Sequence, residues 1–278
     1  YRTSKYKHIT VIYEKLWTVA EMVAKYYDTP EYENTLFVLN FGFTEDAIRV
    51  LKQTYYRLIF YNLEHFSAES YNKESNEWRH VFMHTLAGYD EIWDFLIENY
   101  KYYPKNIKPK YKFMPPRYLD LSCEKREKIY DLIFLGYADT PVRKDLMSKI
   151  GYVFKQYLPK TMVVTGLWGK ECREFSQYFK YSLDYPHYRL FGNTQNAIRI
   201  HESLCANVQV VSYTDITRVI NYFPGIIEII NPVNGFDQEK TYELICNYKD
   251  RDVAKAYSDM TETDEEYQKY REQFLRLL

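Results

Sequence analysis

Asn196–Tyr213 reads NAIRIHESLCANVQVVSY, and the reading of this stretch decides the fold. NAIRIHESLCA places its apolar residues at helical spacing, and VQVVSY is a short apolar run with strand character. Arg199 and Glu202 lie three apart, so they share one helix face directly ahead of that strand. As an isolated pattern this is an ordinary surface ion pair. At the carboxyl edge of a parallel sheet it has a second use. A carboxylate there can accept hydrogen bonds from vicinal hydroxyls, as a ribose presents them, and a guanidinium fork matches a diphosphate.

The same grammar extends outward on both sides. YDLIFLGY is an apolar strand ending in Gly136, and TPVRKDLMSKI opens like a helix with Thr140 as N-cap and Pro141 at its first position. KTMVVTGLWG and GIIEIINP read as further strands, and the tail EKTYELICNY…DEEYQKYREQFLRLL as helix. In the N-terminal half, HITVIYEKLWTVAEMVAKYY has apolar residues at Val11, Ile12, Leu16, Val19, Ala20 and Val23 and reads as one helix. TLFVLNFG (Thr35–Gly42) is a buried strand, followed by a helix TEDAIRVLK capped by Thr44. YRLIFYNLEHF begins as a strand, DEIWDFLIENYKYY reads as strand then helix, and KPKYKFMPPRY as a short strand stopped by Pro-Pro.

Strands alternating with helices, each ending in glycine or a polar residue, predict parallel α/β sheets. The expected fold is two Rossmann-like domains with mostly parallel sheets and an interdomain cleft. The charged segment Leu119–Tyr130 after the prolines is the expected linker, dividing the chain into 1–120 and 121–278. Ligands in such sheets bind beyond the carboxyl ends of the strands.

Composition narrows the classes. The chain has 278 residues, a net charge of −1 and a pI near 6.7, which is not the footprint of a protein devoted to nucleic acid. Mean hydropathy is −0.52, and no run of about 18 uncharged apolar residues exists to span a membrane. No basic segment followed by an apolar one marks a secretory signal. Cys123, Cys172, Cys205 and Cys246 are widely spaced without a CxxC or CxxH pair, so neither a zinc site nor a disulfide framework is expected, and a cytoplasmic location is (host cytoplasm if the source is viral). The 31 tyrosines fit either an AT-rich coding sequence or a set of faces for stacking on bases and sugar rings.

The central stretch resembles the nucleotide-sugar-binding segment of GT-B glycosyltransferases, in which a helix with R-x-x-E precedes a strand with a V-V-S ending. The matching residues are Arg199, Glu202, Leu204, Ala206, Val210, Val211 and Ser212. YDLIFLGYADTPVRKDLMSKI resembles the first strand, glycine loop and helix of that family's C-terminal domain, with Gly136, Arg143 and Lys144, and LFGN with Asn193 matches its nucleobase-facing loop. Tyr61 with Glu64, then Asp90, Ile92, Trp93 and Asp94, then Pro115 to Tyr118 are similar to a GT-B subgroup of viruses and polysaccharide clusters. Phage DNA β-glucosyltransferases look similar too. The matched pieces cover about half the chain, in the family's order.

The resemblance implies a glycosyltransferase with a nucleotide-sugar donor, UDP-linked by preference, and no cofactor or metal. It makes residues 1–120 a reduced acceptor-side domain and 121–278 the donor domain with C-terminal helices. Glu202 then holds the ribose, and Arg199, Arg143 and Lys144 meet the diphosphate. The segment FGNTQNA lacks the acid that many retaining members carry, which implies inversion. LNFGFTED has one glycine where many members have a glycine-rich loop. Inversion needs a base at a strand end of the N-terminal half: Glu64 and His65 lead, with Asp46 and His84 behind them. His201 is expected to point away from the site. The acceptor is either a hydroxymethylated DNA base or a glycan. Lys101–Lys112 (KYYPKNIKPKYK) is the stretch that could track a phosphate backbone, or else a solvated loop. The alternative function is a non-catalytic nucleotide- or DNA-binding module on a degraded GT-B fold. The absence of GxxxxGK[ST] and GxGxxG sets aside a P-loop NTPase and a dinucleotide oxidoreductase.

Overall fold

A computed structural model describes residues 1–64, 85–121, 126–136, 144, 148, 160–165, 169–185, 195–215, 220–231 and 237–278. The chain divides into two compact units, Tyr1–Leu119 with Thr263–Leu278, and Asp120–Glu262.

The first unit is built on a six-stranded sheet whose spatial order follows the sequence. Strand β1 (Arg2–Lys5) pairs antiparallel with β2 (Ile9–Tyr13), and β3 (Thr35–Leu39), β4 (Arg57–Asn62), β5 (Glu91–Asp94) and β6 (Tyr111–Phe113) continue in parallel. Helices α1 (Trp17–Tyr27) and α2 (Glu45–Thr54) lie between strands in the chain. Alternation in β3 feeds two cores. Leu36 and Val38 pack with Ile48 of α2, Leu58, Phe60 and Ile92. Phe37 turns the other way, with ring centroids 5.1 Å from Trp93 and 6.1 Å from Tyr27 of α1. Thr44 caps α2 as expected, accepting from the Ala47 N–H at 3.3 Å.

The N-terminal segment departs from the expectation of one helix. Ile9–Tyr13 is a strand buried on nearly every residue, and the helix starts only at Trp17. A strand buried on both faces has no alternation to show, so its apolar run merges with the helix that follows. DEIWDFLIENYKYY becomes β5 and then a 3₁₀ helix, Ile97–Tyr102, rather than an α-helix.

The second unit holds a five-stranded parallel sheet of order β11-β10-β9-β7-β8. Its strands are β7 (Tyr130–Leu135), β8 (Thr161–Val164), β9 (Phe179–Asp184), β10 (Gln209–Tyr213) and β11 (Glu228–Ile230). Helix α3 (Gly169–Ser176) precedes β9. Helix α4 (Ala197–Cys205) precedes β10, with the Asn196 side chain accepting from the Arg199 N–H at 3.1 Å. Helices α5 (Gln238–Cys246) and α6 (Val253–Thr261) follow, capped by Asp237 and Asp252. The core of the sheet joins Leu132, Phe134, Tyr181, Leu183, Val211 and Tyr213.

The last helix, α7 (Asp264–Leu275), was expected with the second domain; it belongs to the first unit instead. Its Tyr267 hydroxyl donates to the Pro115 carbonyl at 2.7 Å, and Arg271 Nε donates to the Phe113 carbonyl at 2.7 Å. Arg117 is 3% exposed, with its guanidinium 3.7 Å from the Tyr26 ring, 4.5 Å from the Tyr267 ring and 2.7 Å from Asp264. Burial of Tyr267, Tyr270 and Phe274 makes this helix part of that unit's core. Thr140 and Pro141, expected to open a helix, lie outside the described residues. Among the described residues no helix is long and apolar enough to cross a membrane.

Candidate functional site

The two sheets differ in winding. In the first unit the parallel strands run in sequence order, so the winding never reverses. In the second, the chain leaves β7 for β8 on one side and returns to β9 on the other. Such a reversal opens a crevice beyond the carboxyl ends of the two strands flanking it, here β7 and β9.

Gly136 follows β7 at that point. Its N–H donates to the Val164 carbonyl at 3.1 Å, and its φ of 142° lies in the region that disfavours side chains. A Cβ there would stand 2.5 Å from Arg199 Nη2. The guanidinium of Arg199, reaching from the first turn of α4, also lies 5.1 Å from the Phe134 ring centre. Its Nη1 is buried and has no hydrogen-bond partner among the described residues. Burial lowers the pKa of Arg199, while the negative charges of Asp184 and Glu202 act in the opposite sense.

Asp184 ends β9 across the reversal and is 3% exposed. Ser212 Oγ, directly opposite on β10, donates to its Oδ2 at 2.7 Å and lies 2.6 Å from Thr214 Oγ1. Glu202 is half-buried one turn along α4 from Arg199. Cys172 of α3 feels the same pair: burial, reinforced by Glu202 and opposed by Arg199, pushes its thiol up to about 12. It therefore stays a thiol and supplies no charge. His201 faces away, as expected, with Nδ1 3.1 Å from the Tyr257 hydroxyl and burial pulling its pKa down to about 3.

The structure thus brings together Gly136, Arg199 and Glu202. Lys144 is helical and exposed. Arg143 and Asn193, with His65 and His84, lie outside the described residues, as do Trp168 and Cys123. Asp184 was not anticipated. FKYSLD does alternate Phe179, Tyr181 and Leu183, but Lys180 and Ser182 between them hid a central strand. Lys180 is accommodated by Asp131 of β7 at 2.7 Å.

A separate polar cluster crowns β3, β4 and β5 in the first unit. Glu64 follows β4 and is exposed by surface area, yet crowding by protein raises its carboxyl, opposed by the Asn40 amide that donates to Oε1 at 3.0 Å. Asn40 follows β3 with a φ of 60°, and its Oδ1 accepts from the Leu63 N–H at 3.2 Å. Asp94 closes β5 with no exposed surface. It accepts from Asn62 Nδ2, Asn99 Nδ2, the Tyr103 hydroxyl and the Leu96 N–H, at 2.6–3.1 Å. Burial pushes its carboxyl up to about 7 against these four donors. Asp46 instead pairs with Arg49 on the solvent side of α2 at 2.7 Å.

Four of the five lysines in the basic stretch lie against neighbours of their own. Lys101 lies over Tyr102 at 4.9 Å, Lys108 over Tyr100 at 4.4 Å, Lys110 donates to the Ala87 and Tyr89 carbonyls at 2.7 Å, and Lys112 pairs with Glu91 at 2.9 Å. Cys172, Cys205 and Cys246 form no disulfide. Among the described residues no group of three or more His, Cys, Asp or Glu is arranged to hold a metal ion.

Two units with mostly parallel sheets, the final helix returned to the first, are consistent with a GT-B-like α/β architecture. The same fold occurs in AviGT4, a glycosyltransferase involved in avilamycin A biosynthesis, with a TM-score of 0.54, 10% identity, and coverage of 95% of this chain and 90% of that one. It occurs also in the UDP-forming α,α-trehalose-phosphate synthase from Burkholderia xenovorans, with a TM-score of 0.51, 9% identity, and coverage of 94% and 76%. Against S. aureus TarM, in complex with UDP, identity is 9% and the TM-score 0.44; the alignment covers 87% of this chain and spans about half of TarM, 52%. At these identities the likeness is one of fold. No protein-family profile and no curated protein sequence matches the chain.

Proposed function

We propose that this chain transfers a sugar from a UDP-sugar to a hydroxyl of a glycan. The observation that carries the reading is the juxtaposition of Gly136, Arg199 and Glu202 at the winding reversal of the second unit's sheet. Glu202 accepts from the ribose hydroxyls. Arg199, with the buried Nη1 awaiting an acceptor, meets the diphosphate, joined by Arg143 and Lys144 from the segment after β7. A desolvated guanidinium gains more from an anion than an exposed one, because water competes less for it. Asn193 is assigned to the nucleobase. The fold shared with the UDP-forming synthase supports the donor class, and the fold shared with AviGT4 supports glycosyl transfer.

The proposed reaction inverts the anomeric centre and uses no metal or cofactor. An acceptor hydroxyl attacks the anomeric carbon, the bond from that carbon to the diphosphate oxygen breaks, and its electron pair leaves with UDP. The hydroxyl proton passes to Glu64, whose raised pKa makes it a better base near neutrality than an ordinary carboxylate. Arg199 and Lys144 stabilise the departing charge. A glycan is favoured over DNA as acceptor because Lys101, Lys108, Lys110 and Lys112 are engaged with rings, carbonyls and Glu91. The test is UDP release from a panel of UDP-sugars with glycan and hydroxymethylated-DNA acceptors. Release that depends on a glycan supports the reading, release that depends on DNA reassigns the acceptor, and UDP binding without release leaves the non-catalytic module.

A further inference from the structure

We propose that Asp94 is a positioning residue that fixes the strand-end turn carrying Glu64, acting through the side-chain amides of Asn62 and Asn99. The inference rests on the reading of Glu64 as the base. Asp94 does not touch the Glu64 carboxylate, which Asn40 holds. It reaches the backbone of Glu64 by two parallel routes. Asn62 Nδ2 donates to Asp94 Oδ2 at 2.9 Å and to the Glu64 carbonyl at 2.8 Å. Asn99 Nδ2 donates to Asp94 Oδ1 at 2.9 Å and to the same carbonyl at 2.9 Å. Asn62 Oδ1 closes the turn by accepting from the Glu64 N–H at 3.3 Å.

The charge type matters to this arrangement. Above the midpoint of Asp94, near pH 7, the carboxylate only accepts, so both amides must turn their NH₂ groups toward it. That orientation leaves Asn62 Oδ1 facing the Glu64 N–H. An asparagine at position 94 both donates and accepts, so the Glu64 carbonyl alone is left to set which way each amide lies. The hydrogen-bond partners of Asp94 among the described residues are all neutral. A fully buried carboxylate without a cation is costly, and packing alone gives no reason to keep one. The Tyr103 hydroxyl and the Leu96 N–H donate to the same carboxylate, so the network is rooted in β5 and the turn after it.

The test uses Asp94→Asn in the full chain, with ¹³C-carboxyl NMR of Glu64 assigned through Glu64→Gln. The expected result is a Glu64 midpoint that falls toward the ordinary value as the turn loosens. Transfer should show kcat lowered about tenfold or more, with KM for the donor and UDP affinity unchanged. An unchanged Glu64 midpoint with unchanged kcat overturns the proposal. If the wild-type chain binds no UDP and transfers nothing, the transferase reading fails, and the Glu64 titration still decides whether Asp94 positions it. If Asp94→Asn does not fold, Asn99→Ala removes one route and is read in the same way.

Discussion

Gly136 and Arg199 are in contact so close that a Cβ on the glycine would lie 2.5 Å from Nη2 and 3.2 Å from Cζ of the arginine. The backbone at Gly136, with φ 142°, also disfavours any side chain. One residue therefore meets two demands, a turn after β7 and space for a desolvated cation. Gly136→Ala is expected to cost about 1–3 kcal/mol of stability and to weaken UDP binding about tenfold or more. Chemical denaturation and calorimetry read the two effects. In a double-mutant cycle with Arg199→Ala the loss of UDP affinity should be less than additive, because the second change removes the group the first displaces. Full additivity would separate Gly136 from Arg199.

Two buried groups give the units opposite responses to pH. Asp94, in the first unit, has a folded value of about 7 against an ordinary 3.8. The folded state holds that proton more tightly, so this contribution to stability is full below about 4 and is lost as pH rises to about 7. His201, in the second unit, sits at about 3 against 6.5. The unfolded chain takes that proton first, so its contribution is full above about 6.5 and is lost as pH falls toward 3. Hydrogen exchange resolved by segment, corrected for intrinsic rates, should show the first unit loosening on the alkaline side and the second on the acid side. Asp94→Asn should flatten the first slope and His201→Leu the second.

How much of this was legible in the sequence depends on how each segment is buried. Arg199 and Glu202 were readable because α4 is amphipathic and carries a side-chain cap at Asn196. Thr44 announced α2 for the same local reason. The strand Ile9–Tyr13 was not readable, since double-sided burial erases its alternation. Phe179–Asp184 was hidden by Lys180, which is satisfied by Asp131, a partner 49 residues away in sequence. Asp184 became legible only through Ser212 across the sheet, and Asp94, singled out in the sequence as part of a motif, showed its partners only through neighbours such as Asn62. The placement of α7 rests on long-range partners of the same kind, Arg117 and Pro115.

Arg117 ties α7 to the first unit between two tyrosine rings and Asp264. Because Asp264 is 95% exposed, the ring contacts and the filled space matter more than the ion pair. Arg117→Ala is expected to destabilise the first unit by about 2–4 kcal/mol and to open α7 to proteolysis. Arg117→Lys should rescue little, since an ammonium cannot stack as the planar guanidinium does. UDP binding should be unchanged in both variants, and limited proteolysis with calorimetry would show it.

The lysines of the 101–112 stretch offer a check on the acceptor. Lys101→Gln with Lys108→Gln removes cations that lie on Tyr102 and Tyr100. The expected outcome is no change in glycan transfer and no change in the salt dependence of any DNA binding. A salt slope reduced by about 1–2 would show these side chains on phosphates and restore a DNA acceptor.

The donor site is tested most directly by titrating UDP into the wild-type chain and into Glu202→Ala by calorimetry. Saturable binding by the wild type, and a loss of at least about 2 kcal/mol of binding free energy in a variant that melts at the wild-type temperature, is the predicted result. Equal affinity in the two proteins, or no binding by the wild type, would contradict the assignment of Glu202 and the donor site with it.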